Sequence, residues 1–177
     1  MLHRWMAFVG HVAGVMPLGQ AGDIDALRPF RMKARDGREF LFGTPLCFEV
    51  ATPRVVNRWH RQGVHFLVNQ TSEGKLGDEI HETTIAVSGF RAIEGRVSVV
   101  RATNDGISAL IDPNGRLRDV LKGRYTGSPI NEAGVLTTQV ILDDRRGTLY
   151  TRIGDAFAIS CFLATLALAG IARLRRA

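Results

Sequence analysis

The stretch Val64–Gln70, "VHFLVNQ", carries three consecutive apolar residues at its centre rather than an apolar–polar alternation. A strand with one wet face alternates; a short continuous run fits a strand covered on both faces, as in a parallel sheet. Its flanks agree with that reading. Upstream, Pro53 opens "RVVNRWHRQG" (54–63), which reads as a helix closed by Gly63. Downstream, "TSEGKLGDE" (71–79) is a polar, glycine-containing loop, and "IHETTIAVSGFRAIEGR" (80–96) reads as a second helix with Gly95 near its end. Further on, "VSVVRAT", "ISALI" and "RLRDVL" describe antiparallel strands joined by tight turns at "NDG" and "DPNG". A further strand is expected at "GVLTTQVIL" (134–142), and an earlier one at "REFLFGTPLCFEV" (38–50), ending near Cys47. Strand, helix, strand, helix and then a meander predict an α/β layered fold with a mixed sheet.

The 177 residues suffice for one domain with a sizeable core. A formal net charge of +6 raises the question of nucleic acid, but the arginines are scattered singly and are not interleaved with stacking aromatics, so no nucleic-acid partner is expected. Cys47 and Cys161 are too few for a disulfide framework and lie in segments of different character, so both are expected as free thiols. The sequence contains no CxxC, HExxH or His/Cys cluster, and neither a metal nor a cofactor is expected.

From Ala156 to Ala172 the chain reads "AFAISCFLATLALAGIA", without a charge. A helix of that length spans roughly 25 Å, close to the ~30 Å hydrocarbon core of a bilayer. The run is apolar on every face and ends in Arg173, Arg175 and Arg176. It is therefore expected as a transmembrane helix over 153–173, with a cytoplasmic basic tail at 174–177 and residues 1–152 on the extracytoplasmic side. Cys161 then reads as a small residue facing lipid or a helix. The opening 23 residues have a basic start and an apolar middle, as a signal peptide would, but His11 and Pro17 break the run and no clear small-x-small cleavage site follows. Residues 1–19 are read instead as an apolar segment internal to a longer domain.

In "GTPLCFE" (43–49), Cys47 taken alone is either a small buried thiol at the end of a strand or a nucleophile. The motifs around it bear on the choice. "GTPLCFE", "FRAIEGR" (90–96) and "RATNDGISALIDPNGRL" (101–117), followed by a single terminal membrane helix, resemble the C-terminal portion of the apolipoprotein N-acyltransferases, within the nitrilase or carbon–nitrogen hydrolase superfamily. In that family a strand ends in Cys-Tyr-Glu, a helix ends near Arg-Ala-x-Glu, and a strand–turn–strand surrounds Thr-Asn-Asn-Gly-Ile. The resemblance covers roughly residues 18–177.

The resemblance implies the C-terminal half of an α-β-β-α nitrilase-like sandwich over 20–150, followed by one transmembrane helix. It implies a bacterial inner-membrane enzyme that moves an acyl chain from a phospholipid donor to the N-terminal amine of a diacylglyceryl-lipoprotein acceptor, through a cysteine thioester. Cys47 matches the nucleophile, Phe48 takes the tyrosine position with its backbone N–H on the oxyanion, and Glu49 matches a glutamate that orients the site. Departures stand beside these matches. The family's catalytic glutamate and lysine lie well upstream of the cysteine, and only 46 residues precede Cys47 here. Asp23, Asp25, Asp36, Glu39 and Lys33 are in that stretch, none in a context resembling the family's motifs. Lys75 and Leu76 stand where the family has two aromatics. His81 is out of register with the family's Gln-His pair and reads as a solvated helix-end residue, while Asp143–Asp144 and Arg145–Arg146 read as a solvated or headgroup-facing turn. Half a sandwich leaves a core face uncovered, so an upstream segment or second chain that completes the domain is expected. Two other classes stay open: a membrane-tethered carbon–nitrogen hydrolase using the same cysteine with water as acceptor, and a non-catalytic remnant.

Overall fold

A computed structural model describes residues 26–73, 79–124, 126–144 and 147–175. Six strands form one mixed sheet in chain order: β1 (Phe30–Lys33), β2 (Glu39–Gly43), β3 (Phe66–Thr71), β4 (Ser98–Thr103), β5 (Ala109–Ile111) and β6 (Leu117–Val120). β2, β3 and β4 run parallel, whereas β1, β5 and β6 pair antiparallel at the edges. The parallel centre is built by two crossover helices, α1 (Pro53–Arg61) and α2 (Glu79–Gly95). "VHFLVNQ" is thus the buried parallel strand its unbroken apolar centre predicts.

Both helices pack on one sheet face. Leu67, Val99 and Ile111 are register partners across β3, β4 and β5, all fully buried, and join Val56 and Trp59 of α1 and Ala92 of α2 in the core. Gly43 makes this packing possible, because a Cβ there would stand 2.7 Å from the Trp59 ring. On the opposite face Phe30, Phe42 and Phe66 are register partners, with successive ring centroids 5.4 Å apart and nearly parallel.

Two expected strands differ from what is found. The early strand ends at Gly43 rather than at Cys47. Pro45 has no N–H to continue a ladder, Leu46 makes one isolated bridge to Gln70, and Cys47 opens a 3₁₀ turn, Cys47–Ala51. "GVLTTQVIL" forms no strand. Its Ile141 carbonyl accepts a hydrogen bond (2.6 Å) from the Ser98 hydroxyl of β4, so a side chain rather than a backbone ladder ties the segment to the sheet there.

The C-terminal run forms α4 (Ala156–Leu174), 19 residues with a mean hydropathy of 1.9 over its most apolar window and none of that window buried. At about 1.5 Å per residue it is long enough for a bilayer. Ile153 is not part of it. A separate five-residue helix, α3 (Leu149–Ile153), comes first, and Gly154 at φ +56° separates the two. The apolar N-terminal segment, Asp23, Asp25, Lys75, Leu76, Arg145 and Arg146 lie outside the described residues.

Candidate active site

The sheet face that carries the core changes character two residues further along. Beyond Leu67 and Val99, the next register pair on the same face is Asn69 and Arg101. Asn69 and Thr71 follow one another at the strand period of two and project to the helix side at the carboxyl end of β3, and Glu73, two residues past its end, is buried beside them. The Arg101 side chain is fully buried and splits its guanidinium among four partners. Nη1 donates to Asn69 Oδ1 (2.8 Å) and to Ser88 Oγ (3.3 Å); Nη2 donates to Thr84 Oγ1 (2.9 Å) and to Glu73 Oε1. The other Glu73 oxygen lies 2.9 Å from His81 Nδ1. Gly106, from the "NDG" turn, closes over this carboxylate: a Cβ there would collide with Glu73 Oε2.

A buried charge survives only where it is paired and hydrogen-bonded. Burial pushes the Glu73 carboxyl up. The hydrogen bonds from His81 and Thr84 and the Arg101 charge outweigh it, leaving the group below the ordinary carboxylate value and ionised at neutral pH. Burial likewise lowers Arg101, partly offset by Glu73.

Cys47 sits on top of this cluster. Asn69, itself fully buried, donates both to the Pro45 carbonyl (2.8 Å) and to the Cys47 carbonyl (3.3 Å). Thr71 Oγ1 lies 3.5 Å from Cys47 Sγ. Cys47 is a half-buried free thiol whose backbone is left-handed at φ +47°, a conformation that is costly for a residue with a Cβ. Two hydrogen bonds hold the turn there: Asn69 on the Cys47 carbonyl, and the Glu49 carboxylate, which accepts from Leu46 N–H at 2.8 Å. Cys47, Phe48 and Glu49 therefore sit together on one tight turn at the carboxyl ends of parallel strands, where open α/β sheets place their ligands.

His81 corrects an expectation. It is 3% exposed and bonded to Glu73, not solvated. The first turn of α2 packs down over the end of β3 and carries it inward. Sequence reasoning also missed Glu73, Asn69 and Arg101. The available signal was the chain turning wholly polar from Asn69 onward, directly after an apolar strand, which does not single out these residues. Asp36 and Glu39 belong elsewhere, paired on the exposed β1–β2 hairpin with Arg38 and Arg31. Asp143 lies 3.8 Å from Arg96. Among the described residues, no cluster of His, Cys, Asp and Glu could hold a metal ion.

No family model matches the chain. Among curated proteins it is 33% identical over 138 residues to apolipoprotein N-acyltransferase 2 of Treponema denticola, covering 76% of this chain and 24% of that protein. It is 31% identical over 166 residues to apolipoprotein N-acyltransferase of Geobacter metallireducens, covering 93% of this chain and 29% of that protein. The chain thus spans about a quarter of the length of the curated relatives it matches. It resembles apolipoprotein N-acyltransferases over most of its own length, and the partial coverage of the relatives fits their C-terminal portion. Among solved structures, an amidase from Nesterenkonia sp. aligns with a TM-score of 0.43 and 19% identity, covering 54% of this chain and 37% of the amidase chain.

Proposed function

We propose that this chain is the cysteine-bearing, C-terminal portion of a lipoprotein N-acyltransferase of the bacterial inner membrane, held there by α4. The observation that carries the proposal is the placement of Cys47, a free thiol in left-handed backbone on a turn tied to the Asn69–Arg101–Glu73 cluster. A nucleophile on a sharp turn stands clear of its own backbone and open to an incoming carbonyl.

In the first half-reaction the Cys47 sulfur attacks the ester carbonyl of a phospholipid acyl chain. The C–O bond breaks, the lysophospholipid leaves as an alcohol with the thiol proton, and the acyl group stays as a thioester. In the second, the N-terminal amine of a diacylglyceryl-apolipoprotein attacks the thioester carbonyl. The C–S bond breaks, and the amine's proton returns to the sulfur. Nothing is oxidised or reduced. Phe48 N–H donates to the oxyanion of both tetrahedral intermediates, and Glu49 keeps that N–H aimed by fixing the turn through Leu46. The glutamate and lysine that the resemblance implies come from an upstream segment or a second chain that completes the domain. Residues 1–152 face the extracytoplasmic side, and the tail after α4 is cytoplasmic.

The test is intact-protein and peptide mass spectrometry on the full chain purified from bacterial membranes. An acyl adduct on Cys47 that hydroxylamine removes is expected, with a hydroxylamine-resistant ester in Cys47→Ser. Adding a diacylglyceryl lipopeptide should discharge the thioester and acylate the peptide amine. An adduct on Cys161 alone, or none on Cys47 when the completing upstream segment or second chain is co-expressed, defeats the nucleophile assignment. Discharge by water with no acylated peptide would move the protein to the carbon–nitrogen hydrolases.

A further inference from the structure

The short helix α3 combines two features that do not belong together in water. It is fixed to the domain at both ends, yet it holds two aliphatic side chains outward. At its start, Gly147 N–H donates to the Gly95 carbonyl (2.8 Å) and Thr148 Oγ1 to the Glu94 carbonyl (2.6 Å), both at the end of α2. At its finish, the Arg61 guanidinium of α1 donates to the carbonyls of Thr151 (2.7 Å) and Arg152 (3.1 Å). Thr151 is buried against the domain. Leu149 and Ile153, four residues apart and so on one helix face, are 68% and 44% exposed. Only Gly154 and Asp155 separate this face from α4.

Taken with the reading of α4 as a span, on which the inference rests, we propose that α3 lies in the membrane interface. Leu149 and Ile153 enter the boundary between headgroups and acyl chains, and the exposed Arg61 and Arg152 meet the lipid phosphates. The occupant of this apolar face is the same bilayer that α4 crosses. Continuity decides it, because a face two residues from a membrane helix cannot stand far from the lipid surface. An apolar helix end with flanking arginines and Tyr150 beside it also has the composition of an interfacial anchor. The consequence is mechanical. A flexible tether would let the domain tumble, whereas α3, held to α1 by Arg61 and to α2 by Gly147 and Thr148, fixes one orientation over the membrane. Cys47 is thereby kept at a constant height and attitude relative to the lipid surface.

Depth-resolved tryptophan fluorescence tests this on the full chain in phosphatidylethanolamine/phosphatidylglycerol vesicles, each variant read as a difference from the unsubstituted chain, which contains two tryptophans. Three single substitutions suffice: L149W on α3, L166W at the middle of α4, and V135W, at a residue 90% exposed. The expected result has L149W blue-shifted and at least about threefold less quenched by aqueous acrylamide than V135W. L149W should be quenched best by lipids brominated near the headgroup, and L166W by lipids brominated near the chain end. If L149W is as open to acrylamide as V135W while L166W is quenched by lipid, the interfacial anchor is wrong and the span stands. If L149W is shielded from acrylamide but untouched by brominated lipid, protein covers this face and the proposal is equally wrong. If L166W escapes brominated lipid as well, the membrane reading itself fails.

Discussion

Two rows of side chains lie one pleat apart on the same sheet face and behave oppositely. Leu67, Val99 and Ile111 form a dry row whose only chemistry is close packing. Asn69 and Arg101, one pleat further toward the carboxyl ends, are just as buried and wholly polar. The apolar row tolerates errors of shape by relaxing. The polar row does not, since removing one partner strands a charge in a medium that cannot solvate it. The first row gives the fold its stability, while the second gives Cys47 its position. A protein folded only by the first row would have no reason to hold a cysteine at φ +47°.

The largest effect is expected from breaking the polar row. Glu73→Ala leaves Arg101 buried without its carboxylate and should cost about 3–5 kcal/mol, read as a fall in the denaturation midpoint of the full chain in detergent. Replacing both, as in Glu73→Leu with Arg101→Met, should recover much of that loss without restoring Cys47 acylation. A single variant as mild as a surface change would show the charge pair to be inconsequential. In the dry row, Leu67→Ala should cost about 2–4 kcal/mol by the lost transfer energy and the cavity left behind. It should do so without the rescue by a second substitution expected for the pair.

Two buried histidines sharpen the comparison by acid. His81 has Glu73 as a partner, whereas neither ring nitrogen of His60, between α1 and α2, finds one among the described residues. Burial, reinforced by the nearby Arg91 charge, lowers His60 to about 4. Its unfolded value is near 6.5, so between those two limits the unfolded chain binds the proton and the folded one does not. Stability should therefore fall as pH drops from about 6.5 to about 4, by about 3 kcal/mol, and this His60 contribution should level off below. Glu73 acts lower, its contribution present above the ordinary carboxylate value and lost as pH falls beneath it. A denaturation series across pH, repeated with His60→Leu, should lose the upper phase and keep the lower. An unchanged upper phase would refute the assignment to His60. The smallest effect belongs to the exposed Arg31–Glu39 pair, where Glu39→Gln should change stability by less than about 1 kcal/mol.

These regions differed in how much the sequence disclosed. The dry row was readable, because "VHFLVNQ" and "VSVVRAT" announce buried strands by composition and the Pro53, Gly63 and Gly95 signals bound the helices between them. Cys47 was singled out only through resemblance, since a lone cysteine after an apolar strand fits an inert thiol equally well. The cluster beneath it was not read at all. Glu73 looked like an ordinary loop glutamate and His81 like a solvated one, because burial is a property of what packs above a residue. "GVLTTQVIL" was misread for a related reason: apolar and β-branched composition shows that a segment can form a strand, not that it is brought into register with another.

Local rules therefore determined the parallel centre, the two crossover helices, the meander and the apolar terminal helix, since each rests on neighbours within a few residues. Tertiary structure alone decided which polar groups went inside, because Arg101, Glu73, Asn69 and His81 meet only when β3, β4 and α2 are assembled. It also decided that Cys47 sits on a left-handed turn rather than at the end of a strand, through a hydrogen bond from a residue 22 positions away. Desolvation and long-range hydrogen bonding depend on position in space, and the sequence encodes them only through the fold.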